Sequence, residues 1–201
     1  METFEQNLIK KLGKEAFNKI QNTPVGLAGA GGLGSNCALN LVRAGFLRLT
    51  IVDFDKVSAS NLDRQFYFLD QIGLSKTSAL ADNLKRINPA LKLNMVEAKI
   101  TKTNINQLFS NCSIVVECLD QAESKSMLVE ELLRLNKFVV AASGLGGVGS
   151  SDDLVAHKIN SNLVIIGDLN SDIIFKPALS PRVNIVAAKQ ADAVLDYVIE
   201  K

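Results

Sequence analysis

Side chains that could do chemistry together gather around a glycine loop. Residues 29–34 read Gly29-Ala30-Gly31-Gly32-Leu33-Gly34, a G-x-G-x-x-G pattern that follows an apolar run and opens a helical one. Glycines at this spacing let the backbone turn tightly and approach a ligand closely. The helix that follows offers free N–H groups and the positive end of its dipole to phosphate. Asp53 stands 19 residues beyond Gly34, at the end of the next apolar run, where a carboxylate can accept from ribose hydroxyls. Asn61, Arg64, Gln65 and Lys76 then supply a dense set of donors. Two cations reaching a triphosphate would stabilise charge developing on a pyrophosphate leaving group. Asp120 closes a later apolar run. A lone carboxylate beside phosphates suits Mg²⁺, which takes one or two carboxylates and fills its shell with phosphate oxygens and water. The glycine loop alone leaves NAD, FAD and ATP open. Arg64, Lys76 and Asp120 favour Mg·ATP. An NAD(H)-binding oxidoreductase or sensor, and an ATP-binding scaffold without turnover, are the rival readings.

These residues need elements to hold them. Phe4, Leu8, Leu12, Ala16 and Ile20 recur every four residues and predict one amphipathic helix, which Thr23-Pro24 ends. Residues 25–30, 47–52, 91–97, 112–119 and 137–142 read as strands, and 35–44, 75–87, 103–110 and 121–136 as helices between them. Strands alternating with helices predict a parallel sheet with right-handed crossovers. Residues 154–159 and 163–167, joined by Asn160-Ser161-Asn162, predict an antiparallel hairpin. Ser180-Pro181 opens a last helix. The expected fold is therefore α/β: a Rossmann-like, mostly parallel sheet with helices on both faces and antiparallel strands in the C-terminal part. One domain would span residues 1–201, with an N-terminal helix over 1–22, a nucleotide-binding core over 23–150 and the remainder over 151–201. The polar stretch 54–74 is too long to be an idle connection and is expected to bind something.

Composition narrows the field. Lys and Arg total 22 against 21 Asp and Glu, a formal net charge of +1, which argues against a nucleic-acid-binding surface. One histidine leaves a multi-His metal site or a His-dependent triad short of parts. Three cysteines without a C-x-x-C pair exclude a zinc ribbon and a disulfide framework, and fit a reducing compartment. The N-terminus does not read as a signal peptide, and no apolar run approaches membrane-span length. The expected location is the cytoplasm.

Taken together, the motifs G-A-G-G-L-G at 29–34, V-D-F-D-K-V at 52–57, S-N-L-D-R-Q-F at 60–66, G-L-S-K at 73–76 and C-L-D at 118–120 resemble the ThiF/MoeB/HesA family, relatives of the adenylating domain of ubiquitin-activating enzymes. The resemblance implies a homodimer that uses Mg·ATP to adenylate the C-terminal glycine carboxylate of a small ubiquitin-like sulfur carrier, with release of pyrophosphate. It implies Gly29, Gly31, Gly32 and Gly34 beneath the nucleotide, Asp53 on ribose, Arg64 and Lys76 on phosphates, and Asp120 on Mg²⁺. Asn61 and Gln65 would line the site, and Asp55 would assist the metal. The chain lacks the two C-x-x-C pairs that hold zinc in most members. Its first arginine is Arg43, so Lys10, Lys11 or Lys14 would have to replace the N-terminal arginine that many members extend across the dimer. With a short segment after residue 150, the chain resembles the short ThiF type, which implies a ThiS-like carrier ending in diglycine and a role in thiazole formation for thiamine. Adenylation of a molybdopterin carrier, another carrier or a tRNA-bound carboxylate is the alternative within the family. No general base is needed, because a carboxylate is already ionised at neutral pH.

Other features read as structural. A second glycine cluster, residues 144–149, is expected to be a crossover, with binding of a carrier's glycine tail as the sharper reading. Cys37, Cys112 and Cys118 read as core residues, His157 as a strand residue without a ligand, and Phe66–Phe68 as core or dimer contact.

Overall fold

The apolar runs become strands of one sheet, and their alternation sends side chains to both faces. In the computed structural model, which describes residues 2–200, seven strands lie in the order β3-β2-β1-β4-β5-β7-β6. They are β1 (Pro24–Ala28), β2 (Arg48–Val52), β3 (Lys92–Val96), β4 (Ile114–Glu117), β5 (Phe138–Ala142), β6 (Val155–Asn160) and β7 (Leu163–Gly167). The terminal positions 1 and 201 of the expected domain lie outside the described residues. β1 to β5 and β7 pair in parallel, and β6 joins β7 antiparallel. The expected hairpin is thus present, but its second strand extends the parallel sheet and only β6 runs against it.

Helices cover both faces. On one side Ile20, Val25, Leu27, Leu41, Ile51, Leu80 and Val186 pack into a core with α2 (Lys14–Asn22), α3 (Gly32–Ala44), α4 (Lys76–Lys85) and α7 (Ser180–Glu200). On the other, Ile105, Phe109, Val115, Leu128 and Val139 pack with α5 (Ile105–Leu108) and α6 (Ala122–Arg134). Side chains such as Phe46 and Phe109 are fully buried, each contributing about 1.5–3 kcal/mol of apolar burial.

The N-terminal helix expected as one piece is two. α1 (Phe4–Leu12) stops at Gly13, whose φ of +81° no helical residue adopts, and α2 starts afresh. α1 buries nothing, whereas α2 buries Phe17 and Ile20, so the four-residue spacing continued across a break. The periodicity registered the apolar residues and missed the backbone freedom of the one glycine among them.

Register levels the strand ends. Ala28 of β1 stands opposite Val52 of β2 and Glu117 of β4. The loops after these three strands therefore emerge side by side at the carboxyl edge. Chain direction across the sheet reverses between β1 and β4, the place where open α/β sheets form a crevice.

Candidate functional site

A cavity of about 650 Å³ opens at that crevice. Its floor is the turn from β1 into α3. Gly31 is the N-cap of α3 and makes no side-chain cap, and the first turn of the helix carries no acid. Gly31, Gly32 and Leu33 line the cavity, so an uncapped helix N-terminus faces open space. Unsatisfied N–H groups and the positive dipole end at that point form an anion site.

The glycines do different work. Gly29 has φ +110°, and a Cβ there would lie 2.7 Å from the Cys118 carbonyl oxygen. A Cβ on Gly34 would lie 1.9 Å from the Gly29 carbonyl oxygen, so Gly34 lets α3 close onto the strand end. Gly34 does not line the cavity, and Gly29, Gly31 and Gly32 do.

Asp53 is held at the rim of β2. Its Oδ2 accepts from the Ala30 N–H at 2.7 Å and its Oδ1 from the Asp55 N–H at 2.8 Å. The carboxylate thus ties its own loop to the glycine loop. Each oxygen keeps a lone pair that a ribose hydroxyl could use.

The loop after Asp53 folds back on itself. The Val57 N–H donates to the Leu74 carbonyl oxygen, the Gly73 N–H to the Val57 carbonyl oxygen and the Lys76 N–H to the Asp55 carbonyl oxygen, and these bonds pin its two ends together. α3 grips the middle: Asn36 Nδ2 donates to the Arg64 carbonyl oxygen at 2.9 Å, and Ser35 Oγ accepts from the Phe66 N–H at 3.0 Å. Arg64 lines the cavity, with its guanidinium on the Ser60 carbonyl oxygen at 2.9 Å and on Asp63 at 2.6 Å. Gln65 lines it too, and its buried Oε1 has no hydrogen-bond partner. A buried acceptor left open beside a cavity marks a place for a donor from a ligand or water. Tyr67 Oη donates to the Ala30 carbonyl oxygen at 2.7 Å, and burial, reinforced by Asp53 and Asp55, pushes the phenol pKa up.

Lys76 is the first residue of α4 and is buried, with only 7% of its side chain exposed. A cation at a helix N-terminus opposes the dipole. Its Nζ pairs with Asp55 Oδ2 at 2.7 Å, so Asp55 is engaged by Lys76. Asn61, like Gly34, is an expected site residue that does not line the cavity. Its Oδ1 accepts from the Ser58 N–H at 3.1 Å, and its carbonyl oxygen accepts from the Arg64 and Gln65 N–H groups. It shapes the turn that carries those two residues.

Asp120 lines the opposite wall, exposed and without a protein hydrogen bond among the described residues. Among those residues no group of three or more His, Cys, Asp and Glu could hold a metal. One free carboxylate facing an anion site fits Mg²⁺ bound chiefly through phosphate and water, and not a metal caged by protein.

A profile of the ThiF family matches residues 4–198. The chain belongs to the ThiF family. Over 141 residues it is 36% identical to the adenylyltransferase and sulfurtransferase MOCS3 of Caenorhabditis briggsae, covering 70% of this chain and 35% of that protein. Over 137 residues it is 31% identical to the tRNA threonylcarbamoyladenosine dehydratase of Escherichia coli, covering 67% of this chain and 51% of that protein. The chain therefore spans between 35% and 51% of the length of these two relatives. The same dehydratase, solved in complex with ATP, matches with a TM-score of 0.83 at 21% identity over 96% of this chain and 91% of that one. Escherichia coli MccB, solved with ATP, matches with a TM-score of 0.78 at 19% identity over 100% of this chain and 64% of that one. These two likenesses show a shared ThiF-type fold.

Several residues that build this ThiF-family site were not singled out by the sequence. Glu117, in the apolar run of β4, is fully buried and pairs with Lys125 at 2.7 Å. A carboxylate inside a strand of valines was the available signal. Lys99 and Lys125 also line the cavity. Outside the cavity lining, Arg182 of α7 donates to the Gly149 and Ser150 carbonyl oxygens and to Asp168 at 2.5 Å. Burial raises the Asp168 pKa, but the Ser171 and Asn170 N–H donors and Arg182 outweigh it and leave the value at about 2.

The second glycine cluster approaches the chain itself. A Cβ on Gly144 would lie 2.6 Å from the Leu169 nitrogen, and one on Gly146 would lie 2.6 Å from the Lys176 carbonyl oxygen. The loop after β7 therefore occupies the room those two glycines leave. Cys37, Cys112 and Cys118 are all buried, and burial raises each thiol pKa, so none is a thiolate at neutral pH. His157 faces the Gly167 carbonyl oxygen at 3.0 Å within the β6–β7 pair. Tyr67 is core, while Phe68 is exposed beneath Arg86. Among the described residues no helix is long and apolar enough to cross a membrane.

Proposed function

We propose that the chain is one ATP-binding adenylyltransferase domain, acting as a homodimer in the cytoplasm. It transfers AMP from Mg·ATP to the C-terminal glycine carboxylate of a ubiquitin-like sulfur carrier and releases pyrophosphate. The carrier we favour is ThiS-like and ends in diglycine, as the short ThiF type implies. The uncapped α3 N-terminus, which lines the same cavity as Arg64 and Lys76, carries this reading, because it supplies positive charge where a triphosphate would lie. Arg64 and Lys76 would draw charge onto the leaving pyrophosphate. Asp53 would hold the ribose, and Asp120 would hold Mg²⁺, which supplies Lewis-acid stabilisation of the phosphate oxygens. In-line attack by an ionised carboxylate needs positioning and charge neutralisation, not a base. Cys37, Cys112 and Cys118 are buried thiols, so none of the three is poised for sulfur transfer.

The far half of the cavity favours a peptide acceptor. Its wall is contributed by segments 142–145 and 169–178, whose lining residues include no lysine or arginine. An extended glycine tail needs no cation there, whereas a tRNA acceptor would bring phosphates that do. The match to the Escherichia coli dehydratase keeps adenylation of a tRNA-bound carboxylate as the second reading. Carrier-dependent ATP–pyrophosphate exchange separates them. Exchange with a diglycine-ended carrier supports the proposal. Exchange only with a tRNA carrying a carboxylate supports the second reading. NAD binding without ATP binding would refute both.

A further inference from the structure

We propose that the buried Glu117–Lys125 pair is a positioning device that aims Asp120 into the cavity and so sets how strongly Mg²⁺ tightens nucleotide binding. The inference rests on the nucleotide reading above. Glu117 has no exposed surface, and its bonds run to loops at the cavity edge. Oε1 accepts from the Leu119 N–H at 2.6 Å, Oε2 accepts from the Ala142 N–H at 3.4 Å, and both oxygens face Lys125 Nζ at 2.7–2.9 Å. Lys125 Nζ also donates to the Leu119 carbonyl oxygen at 2.9 Å. An ammonium has three donors, and these contacts account for them. Lys125 therefore lines the cavity as a strut, with no donor left over for phosphate.

Leu119 is thus gripped at both its N–H and its carbonyl, and Asp120 follows directly. Asp120 has no protein partner of its own among the described residues, so its direction comes from the backbone behind it. A buried ion pair is an expensive way to stabilise a fold, since apolar residues of similar volume serve as well or better. Here the pair spans two loops of the crevice, the turn after β4 and the end of β5. Groups that orient a metal ligand change metal affinity by about 10–100-fold when removed.

The test measures ATP affinity calorimetrically without any carrier, once in EDTA and once with Mg²⁺. The variants are Glu117→Gln/Lys125→Met, Lys125→Arg and Asp120→Ala, with melting temperatures as a check on folding. Glu117→Gln/Lys125→Met leaves no uncompensated buried charge, and Glu117→Gln/Lys125→Gln, also free of one, is the second variant should it fail to fold. The expected result is an unchanged affinity in EDTA and a Mg²⁺-supported affinity weakened about 10–100-fold. Lys125→Arg restores it. Adding Asp120→Ala to the double variant makes nothing worse, because coupled residues are non-additive. Full Mg²⁺ enhancement in the double variant, or an equal loss in EDTA and Mg²⁺, overturns the inference. If the wild type and Asp120→Ala both bind ATP without any effect of Mg²⁺, the metal reading of the site fails and the inference falls with it. That pattern differs from failure of the inference alone, in which Asp120→Ala still abolishes the enhancement.

Discussion

Replacing Gly34 by alanine places a methyl carbon 1.9 Å from the Gly29 carbonyl oxygen and 2.7 Å from the Gly29 carbonyl carbon. An ordinary C···O approach is about 3.3 Å, so α3 and the β1 loop must part by about 1.4 Å. The obstacle is backbone and cannot rotate away. α3 buries Leu33, Cys37, Ala38 and Leu41 along that seam, so the displacement spreads into the core. Overpacking costs about 1–3 kcal/mol in general, and a clash with fixed backbone belongs at or above the upper end. At 2–4 °C per kcal/mol for a chain of this size, the melting temperature should fall by about 6–12 °C. Gly31→Ala is the control from the same motif. A Cβ there meets only Gln65 Nε2 at 3.8 Å, and Gly31 has an ordinary φ of −77°. It should melt within about 2 °C of wild type, yet bind ATP more weakly, because the methyl projects from the cavity floor. Thermal unfolding followed by circular dichroism, paired with ATP titration, checks both. A Gly34→Ala protein that melts with wild type, or a Gly31→Ala protein that loses stability instead of affinity, would refute this division of labour.

Arg64→Ala and Asp120→Ala should each lower ATP–pyrophosphate exchange by about 100-fold or more while the melting temperature changes little. Exchange at wild-type rate in either variant would remove that residue from the site. Tyr67→Phe deletes the hydrogen bond to Ala30 and should cost about 1 kcal/mol, read as a fall of a few degrees in melting temperature. Asp168 has a folded pKa of about 2, below its ordinary 3.8. Its stabilisation is therefore complete above about pH 4 and is lost as pH falls towards 2. The stability gap between wild type and Asp168→Asn should be open at pH 6 and narrow steadily below pH 4. A gap that stays constant across that range would contradict the Asp168–Arg182 account.

Sequence pattern made the sheet legible because β1, β2, β4 and β5 are short apolar runs that can only be buried strands. The glycine loop was legible for a related reason: its spacing is imposed by the close approach of α3 to Cys118 and Gly29. What pattern missed were contacts between residues distant in sequence. Arg182 reaches back to Gly149 and Ser150, and Asn36 holds Arg64 across 28 positions. Asn61 stands among donors, and the contact that sequence pattern does not show is local: its Oδ1 accepts from the Ser58 N–H in the turn that carries Arg64 and Gln65. Gly13 was hidden inside a regular apolar spacing. The second glycine cluster is expected to be a crossover, and pattern alone did not show that Gly144 and Gly146 let the loop after β7 pack against it.

The most direct test of the adenylyltransferase account is the mass of the product. A panel of purified ubiquitin-like carriers ending in diglycine, ThiS-like ones included, is incubated with the protein and Mg·ATP and examined by intact-protein mass spectrometry. The account predicts AMP attached to the C-terminal glycine of at least one carrier, absent when that glycine is deleted and absent with Asp120→Ala. Unmodified carriers throughout, alongside adenylation of a tRNA-bound carboxylate by the same protein, would contradict it.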